Sequence, residues 1–364
     1  MSTDGGVEIV KLARLVSCEP EDLRYLQYVA PQDIRDLREQ VTVAVFDADR
    51  QMLQRVAGAA KLIPTKLAAA VAQQALGPLL SARVTGLLEP PRAVDIAARL
   101  PTEFLADLAA ELDPRRASRV VAEIPAEQIA QITAELAERG EHIVMGGFVG
   151  HLPEAALRAA VETVDDETLL LTAYVIDAKG NLGALVKLLP EERLESIIRT
   201  AHEADLWPEA LDVLGHVSER QRGQLGDLAA AQDDEVLDGM VSAAQRDGLW
   251  ADVLPVTRAM NPDSRARFAK LKSVQTRDVL SSIVGTAAEQ GLWPELLELL
   301  PDLPEEARRH VAALGADFDH SVFEQIVAAA QEYDLREALD LFTSELEPST
   351  QKQIAELCEA VEGR

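Results

Sequence analysis

Four stretches of the sequence begin with a leucine and follow one another at intervals of 43 residues: LWPEALDVL (206–214), LWADVLPVT (249–257), LWPELLELL (292–300) and LREALDLFT (335–343). All the tryptophans of the chain, Trp207, Trp250 and Trp293, follow three of these leucines. A fixed interval of this length is typical of helical repeat proteins. The sequence therefore predicts four repeat units, at residues 190–232, 233–275, 276–318 and 319–361.

Equivalent positions agree along each of these units. Asp233, Thr276 and Asp319 occupy one position, where a side-chain oxygen suits the residue that caps a helix. Apolar residues at helical spacing then predict a first helix whose inner face includes an alanine, a short second helix near the tryptophan, and a third helix. Three helices in about 43 residues is the geometry of HEAT and armadillo repeats. The apolar face of the first helix is predicted at Leu194, Leu237, Leu280 and Phe323, with the alanines Ala201, Ala244, Ala287 and Ala330.

A faster rhythm precedes these units. Leucine or isoleucine recurs every 12 residues from Leu76 to Leu136, usually with a proline one or two positions later. Proline suits the first turn of a helix, where its missing N–H would have no partner in any case. The pattern predicts a series of helices of about nine residues each, and hairpins of such helices must stack to bury their apolar faces. The prolines are Pro78, Pro90, Pro101, Pro114 and Pro125.

The segments LPTEFL (100–105) and IPAEQI (124–129) carry a resemblance. With their repetition over about residues 76–189, they resemble the superhelical N-terminal domain of MgtE-type magnesium transporters. In those transporters the domain is a cytosolic element that is followed by regulatory domains and membrane helices. Neither is recognisable in this sequence, and no magnesium ligand can be matched residue by residue. We therefore do not expect magnesium transport itself.

These patterns predict an all-α protein, a right-handed α-solenoid built from short helical repeats. Three regions are expected: N-terminal helices in residues 1–75, short-helix repeats in residues 76–189 and the four longer units in residues 190–361. The composition agrees with helices, because alanine and leucine dominate and aromatic residues make up only 4% of the chain.

The charge of the chain restricts its partners. It has 35 basic and 62 acidic residues and a formal net charge of -27, which repels nucleic acid and anionic lipid. Its two cysteines, Cys18 and Cys358, exclude a disulfide framework and favour a reducing compartment. No secretory signal is visible, and no apolar stretch approaches the roughly 18 residues of a membrane span. We expect a cytoplasmic protein without a transmembrane segment.

Two rows of residues are candidates for binding a partner. The indoles of Trp207, Trp250 and Trp293 either seal the joints between successive helices or line one rim that binds a partner, as tryptophan often does in interfaces. Arginines recur at the same interval, and each either pairs with neighbouring carboxylates or receives an acidic partner segment. These arginines are Arg222, Arg265 and Arg308.

No motif for catalysis, a cofactor or a metal is recognisable. The six histidines lack the spacing of a zinc site, and the sequence contains no calcium-binding loop. The glycine run at residues 146–150 lacks the lysine of a phosphate-binding loop, which favours a tight helix crossing there. No nucleophile motif of the Gly-x-Ser-x-Gly type is present. We assign no catalytic residue, no cofactor and no metal site, and expect that the protein is not an enzyme.

The leading hypothesis is a non-enzymatic cytoplasmic scaffold or adaptor that binds a protein partner on its helical-repeat surface. One alternative is a divalent-cation-responsive regulatory module of a membrane transporter, suggested by the resemblance and by acidic residues that would bind such ions weakly. Another is a peripheral factor on a membrane or a storage inclusion. The sequence does not identify the partner.

Overall fold

The computed structural model describes residues 3–47, 50–315 and 318–362 and shows an all-α protein. Within these residues there is no β-strand. The chain divides into two compact units, Met1–Asn181 and Leu182–Arg364. The predicted N-terminal helices (1–75) and the short-helix repeats as far as Asn181 lie in the first unit, whereas residues 182–189 of the predicted repeat region lie in the second.

Twelve α-helices lie in the described part of the first unit: α1 (Thr3–Val16), α2 (Pro31–Asp47), α3 (Arg50–Ala60), α4 (Thr65–Val71), α5 (Gly77–Thr85), α6 (Pro90–Ala97), α7 (Thr102–Glu111), α8 (Pro114–Val121), α9 (Ala126–Glu138), α10 (His142–Phe148), α11 (Glu154–Thr163) and α12 (Asp166–Tyr174). Short 3-10 helices lie at Pro20–Tyr28, Val149–His151 and Lys179–Asn181, and a π-helical turn lies at Ala72–Leu76.

Thirteen α-helices lie in the described part of the second unit: α13 (Leu182–Leu188), α14 (Glu191–Glu203), α15 (Trp207–Gly215), α16 (Glu219–Ala230), α17 (Asp234–Asp247), α18 (Trp250–Ala259), α19 (Pro262–Ala269), α20 (Arg277–Gln290), α21 (Trp293–Leu299), α22 (Glu305–Gly315), α23 (His320–Glu332), α24 (Arg336–Ser344) and α25 (Pro348–Glu362). A 3-10 turn follows α21 at Leu300–Asp302.

Prolines mark the starts of the short helices in the first unit. Pro90 and Pro114 are the first residues of α6 and α8, and Pro78 is the second residue of α5. Pro101 and Pro125 immediately precede α7 and α9. Because the proline ring holds φ near the helical value and removes only an unpaired N–H, these five helices begin where the sequence predicted.

Helices of the first unit pack against the next helix but one. One row of contacts links α3 to α5, α5 to α7, α7 to α9 and α9 to α11, and a second row links α4 to α6, α6 to α8 and α10 to α12. Each helix is short and amphipathic, so its apolar face is buried between its neighbours and not within its own hairpin. In one such cluster, Ala106 and Ala109 of α7 pack with Leu136 of α9 and Met145 of α10.

The glycine run lies in a close helix crossing. Gly146 is inside α10, and a Cβ atom on it would lie 3.2 Å from the carbonyl oxygen of Thr172 and 3.3 Å from the Cα of Ile176. A side chain at this position would push α10 away from the end of α12. The residue is therefore a glycine because two backbones meet there, as the sequence indicated.

In the second unit, three helices lie in each of the four 43-residue intervals. The residues predicted on the inner face of each first helix are buried, from Leu194 at 5% exposure to Leu237 at 0%. Helices α17, α20 and α23 begin directly after the three predicted capping residues. Of these, Asp319 accepts a hydrogen bond from the Val322 amide at 3.1 Å, whereas Asp233 and Thr276 make no such bond.

The same backbone corner precedes every leucine of the 43-residue pattern. The residue before each leucine has a left-handed backbone, with φ of +55° or +70° to +71°, and the leucine N–H donates to the carbonyl of the alanine five positions earlier at 2.7–3.0 Å. This hydrogen bond is that of a Schellman motif, which ends the first helix of the unit and turns the chain into the second. The four left-handed residues are Asp205, Gly248, Gly291 and Asp334.

The corner predicts opposite effects for two matched substitutions. Gly248→Ala should lower the melting temperature, because a Cβ atom in the left-handed region costs about 1 kcal/mol, although no other atom lies within 4 Å of that position. Asp334→Gly should raise the melting temperature by removing the same strain from the fourth corner. Thermal unfolding of both variants tests this, and a shift of both in the same direction would contradict it.

Candidate interaction site

The three tryptophans lie inside the second unit. They begin α15, α18 and α21, which pack against one another in succession. Trp207 is 4% exposed, Trp250 1% and Trp293 3%. The indole Nε1 of Trp250 donates to Oε1 of Gln245 at 3.0 Å, and that of Trp293 donates to Oε1 of Gln325 at 3.3 Å. The burial of all three indoles, and the hydrogen bonds of two of them, are what the packing interpretation predicts.

Trp293 shows how an indole joins two repeat intervals. Its ring meets Phe318 edge-on, with 5.5 Å between the ring centroids, and Gln325 belongs to α23 of the following interval. Burying a side chain of this size contributes about 4 to 6 kcal/mol, at about 25 cal/mol per Å². Trp207 lacks the hydrogen bond, since its Nε1 has no partner among the described residues.

Two of the three arginines in the second row bind backbone carbonyls. Arg222 donates from Nε to the carbonyl of Leu214 at 3.1 Å, and from its guanidinium to that of Gly215 at 3.3 Å. Arg308 donates to the carbonyl of Leu303 at 2.7 Å. The carbonyls of Leu214 and Gly215 end the helix before that of Arg222, and the carbonyl of Leu303 lies just before the helix of Arg308. These two side chains therefore hold a helix connection in place.

The third arginine forms the carboxylate pairs that the sequence suggested. Arg265 of α19 donates from Nε to Asp302 at 2.9 Å and from Nη1 to Glu298 at 3.4 Å, and its side chain is 14% exposed. Both carboxylates belong to the following 43-residue interval. The row is thus periodic in sequence, but its members have different partners.

The first unit contains a buried ion network that the sequence did not predict. The Glu8 side chain in α1 is 1% exposed and is contacted by Arg35 at 3.0 Å and Arg38 at 3.3 Å, both from α2. Lys11 lies 3.4 Å from Glu8 and 2.7 Å from Asp177, which Arg38 also contacts at 3.1 Å. Five charged groups therefore bring α1 and α2 together with the chain just after α12. No spacing could have indicated this, because Lys11 and Asp177 are 166 positions apart.

The network sets the charge state of Asp177. Burial alone would raise the pKa of this carboxyl, but the positive charges of Lys11 and Arg38 lower its pKa below the usual range. The carboxylate is therefore ionised in the folded protein at neutral pH and contributes to stability there. The five charged groups pair with one another and hold α1 and α2 against the chain just after α12.

Exposed apolar side chains are concentrated near the start of the chain. Of the fourteen large apolar residues that are exposed in the described part of the protein, thirteen lie between residues 10 and 79, and the other is Tyr333. Tyr28 is 89% exposed and Leu62 87%. The thirteen residues are Val10, Leu15, Val16, Tyr25, Tyr28, Val29, Leu37, Val43, Met52, Leu62, Leu67, Val71 and Leu79.

Comparison of the chain with protein-family models, with curated proteins and with solved structures gave no match. In the described residues, no helix has both the length and the apolar character needed to cross a bilayer. The same residues include no group of three or more histidine, cysteine, aspartate or glutamate side chains placed to hold a metal ion.

Trp250→Ala should destabilise the protein strongly. Removal of a fully buried indole leaves a cavity and typically costs about 3 to 5 kcal/mol. Tyr333→Ala is the matched control in the same unit, because that ring is 42% exposed and loses only a contact with Arg258, worth about 1 kcal/mol. Thermal or urea unfolding measures both. An equal, small loss for the two variants would show that the indole does not pack as described.

The ion network predicts a pH dependence of stability. Since the pKa of Asp177 is lower in the folded state, its contribution is fully present above the ordinary aspartate pKa of about 3.9 and is lost as pH falls through the lower folded value. Asp177→Asn should therefore cost about 2 kcal/mol at neutral pH and much less at acidic pH.

The melting temperature at neutral and acidic pH measures this effect. Glu154→Gln is the control, because that carboxylate is 76% exposed and pairs only with Arg158 at 3.2 Å. If Asp177→Asn and Glu154→Gln change the melting temperature equally at both pH values, the network does not act as described.

Proposed function

We propose that this chain is a non-enzymatic scaffold or adaptor that binds a protein partner on the surface of a right-handed α-solenoid. Two observations support a repeat architecture: the alternate packing of short helices in the first unit, and the corner that recurs every 43 residues in the second. Stacked helical repeats present extended surfaces to which several repeats contribute, and such surfaces suit protein partners.

The distribution of exposed apolar residues carries the binding proposal. Single exposed apolar side chains are common, whereas several that lie together on a surface are typical of interaction sites. Here thirteen of fourteen lie within residues 10–79 of the described protein, and they include Tyr25 at 69% exposure. The tryptophans are not part of this proposal, because their indoles are buried. The surface that we assign to the partner belongs to the first unit.

Two other functions would leave different signatures. A module that responds to divalent cations would bind them in the folded state, and a ligand that binds only the folded state raises the melting temperature. A factor on a membrane or storage inclusion would sediment with lipid. The scaffold proposal expects neither effect from millimolar magnesium or from neutral vesicles.

Photo-cross-linking in the native cell tests the proposal at matched positions. A photoreactive phenylalanine analogue replaces one tyrosine at a time: Tyr25, Tyr28 or Tyr333. We expect one defined protein to be cross-linked from Tyr25 and Tyr28 but not from Tyr333, because Tyr333 lies outside the apolar region and stacks on Arg258 with 4.3 Å to the ring centroid. Absence of protein cross-links at all three positions, together with a large rise in melting temperature on addition of magnesium, would replace the scaffold with a cation-responsive module.

A further inference from the structure

The stack of short helices in the first unit has an uncovered end. Helix α3 packs against α5 and α4 packs against α6, each on one side. Among the described residues, neither α1 nor α2 makes more than marginal contact with α3 or α4. The N-terminal pair is instead held by the ion network with Asp177. Helices α3 and α4 are therefore the first members of their rows.

The inner faces of these two helices are buried as in the rest of the stack. Leu53 and Ala57 of α3 form a cluster with Val84 of α5, and Ala68 and Ala69 of α4 form one with Ile96 of α6. The exposed residues of α3 and α4 lie on the side away from these clusters. We call that outer surface of α3, α4 and the turn between them the end face.

The end face carries large exposed apolar side chains where the terminal surface of a helical array is normally polar. These are Met52 at 49%, Leu62 at 87%, Leu67 at 52% and Val71 at 38%, and they lie among exposed polar residues that include Gln51 and Gln54. Leu67 and Val71 are four positions apart in α4, so they form one stripe. The surface is also rigid at its turn, because Arg92 of α6 donates to the carbonyl of Ala60 at 2.9 Å and to that of Ile63 at 2.5 Å.

The segment that contains the end face differs in charge from the whole chain. Residues 50–99 contain seven basic and two acidic residues, whereas the chain has a formal net charge of -27. Arg55 and Lys66 are exposed and form no ion pair or hydrogen bond with the other described residues. Lys61 pairs with Glu89 at 3.6 Å, and both side chains are largely exposed. An apolar stripe thus lies beside Arg55 and Lys66, two cations that have no partner among the described residues.

Resting on the proposed function, we infer that the end face binds an acidic amphipathic helix of a partner protein. The bound helix would pack against α3 and α4 as α5 and α6 do from the other side, and so extend the stack by one layer. Its apolar residues would cover Leu62 and Leu67, and its carboxylates would pair with Arg55 and Lys66.

Two other occupants fit the surface less well. A second copy of the chain would have to present a different surface, since two end faces repel each other. Its second unit is acidic, with 17 basic and 35 acidic residues, but has only Tyr333 as a large exposed apolar side chain among those described. An anionic bilayer would approach much more of this acidic chain than a helix does. A helix stays within about 8 Å of the cations, the distance over which salt leaves charges unscreened.

The test uses two synthetic peptides and the intact protein. Both peptides are helices of about 20 residues with the same leucine stripe; one carries glutamate and the other lysine at the remaining positions. We expect the glutamate peptide to bind the wild-type protein at least about tenfold more tightly than the lysine peptide, as measured by fluorescence anisotropy. The double variant Arg55→Glu/Lys66→Glu should reverse this preference, and Leu62→Ser/Leu67→Ser should weaken both peptides by about tenfold or more.

A matched control is available in the second unit. Lys270 and Lys272 are also exposed and form no ion pair with a described carboxylate, but no exposed apolar stripe of the described residues adjoins them. Lys270→Glu/Lys272→Glu removes the same charge and should leave the peptide preference unchanged. Circular dichroism checks that every variant is folded.

Several results would overturn the inference. Equal affinity for the two peptides, or equal effects of the two double charge reversals, would show that the end face does not select an acidic helix. Binding to vesicles of phosphatidylcholine and phosphatidylserine that depends on Arg55 and Lys66 would assign the face to a membrane. Self-association that depends on them would assign it to a second copy. A partner cross-linked at Tyr28 without any peptide selectivity would retain the scaffold function and reject only this site.

Discussion

The central constraint on this protein is that its helices are too short to bury their apolar faces within a single hairpin. Isolated helices of this length are marginal in water, so each depends on tertiary packing. In the first unit, most helices from α3 onward pack against the next helix but one, in two rows. In the second unit, a corner of fixed backbone geometry turns the chain so that the second helix of one interval packs against the second helix of the next. An array of this kind has ends, and the outer surface of α3 and α4 is one of them.

Much of the fold could be predicted because its signals are local. A proline needs only its own ring to favour a helix start, and the starts of α5 to α9 followed from five prolines. The 43-residue pattern predicted the three helices that lie in each of its four intervals. The left-handed corner was hidden, because Asp205 and Gly248 serve the same backbone geometry and their difference masks the repeat. Capping was only partly predictable, since Asp233 and Thr276 precede their helices without bonding the first turn.

The candidate site could not be predicted in the same way. A fixed interval shows that residues share an environment, but it does not show whether that environment is interior, as it is for Trp250. Equal spacing also did not give equal partners, since Arg222 binds carbonyls and Arg265 binds carboxylates. The exposure of Leu62 and Leu67 depends on which helices surround α3 and α4. That is a property of the whole unit, and no short stretch of sequence contains it.

The ion network around Glu8 also bears on how the chain folds during its synthesis. Arg35 and Arg38 emerge from the ribosome soon after Glu8, so the N-terminal helix pair can neutralise that carboxylate early. Lys11 waits for Asp177, which is made 166 residues later, or roughly 8 to 33 seconds at 5 to 20 residues per second. During that interval the rows of short helices can grow before the N-terminal pair is locked in place. Residues around Glu8 thus reach their complete set of contacts only after α12 has been made.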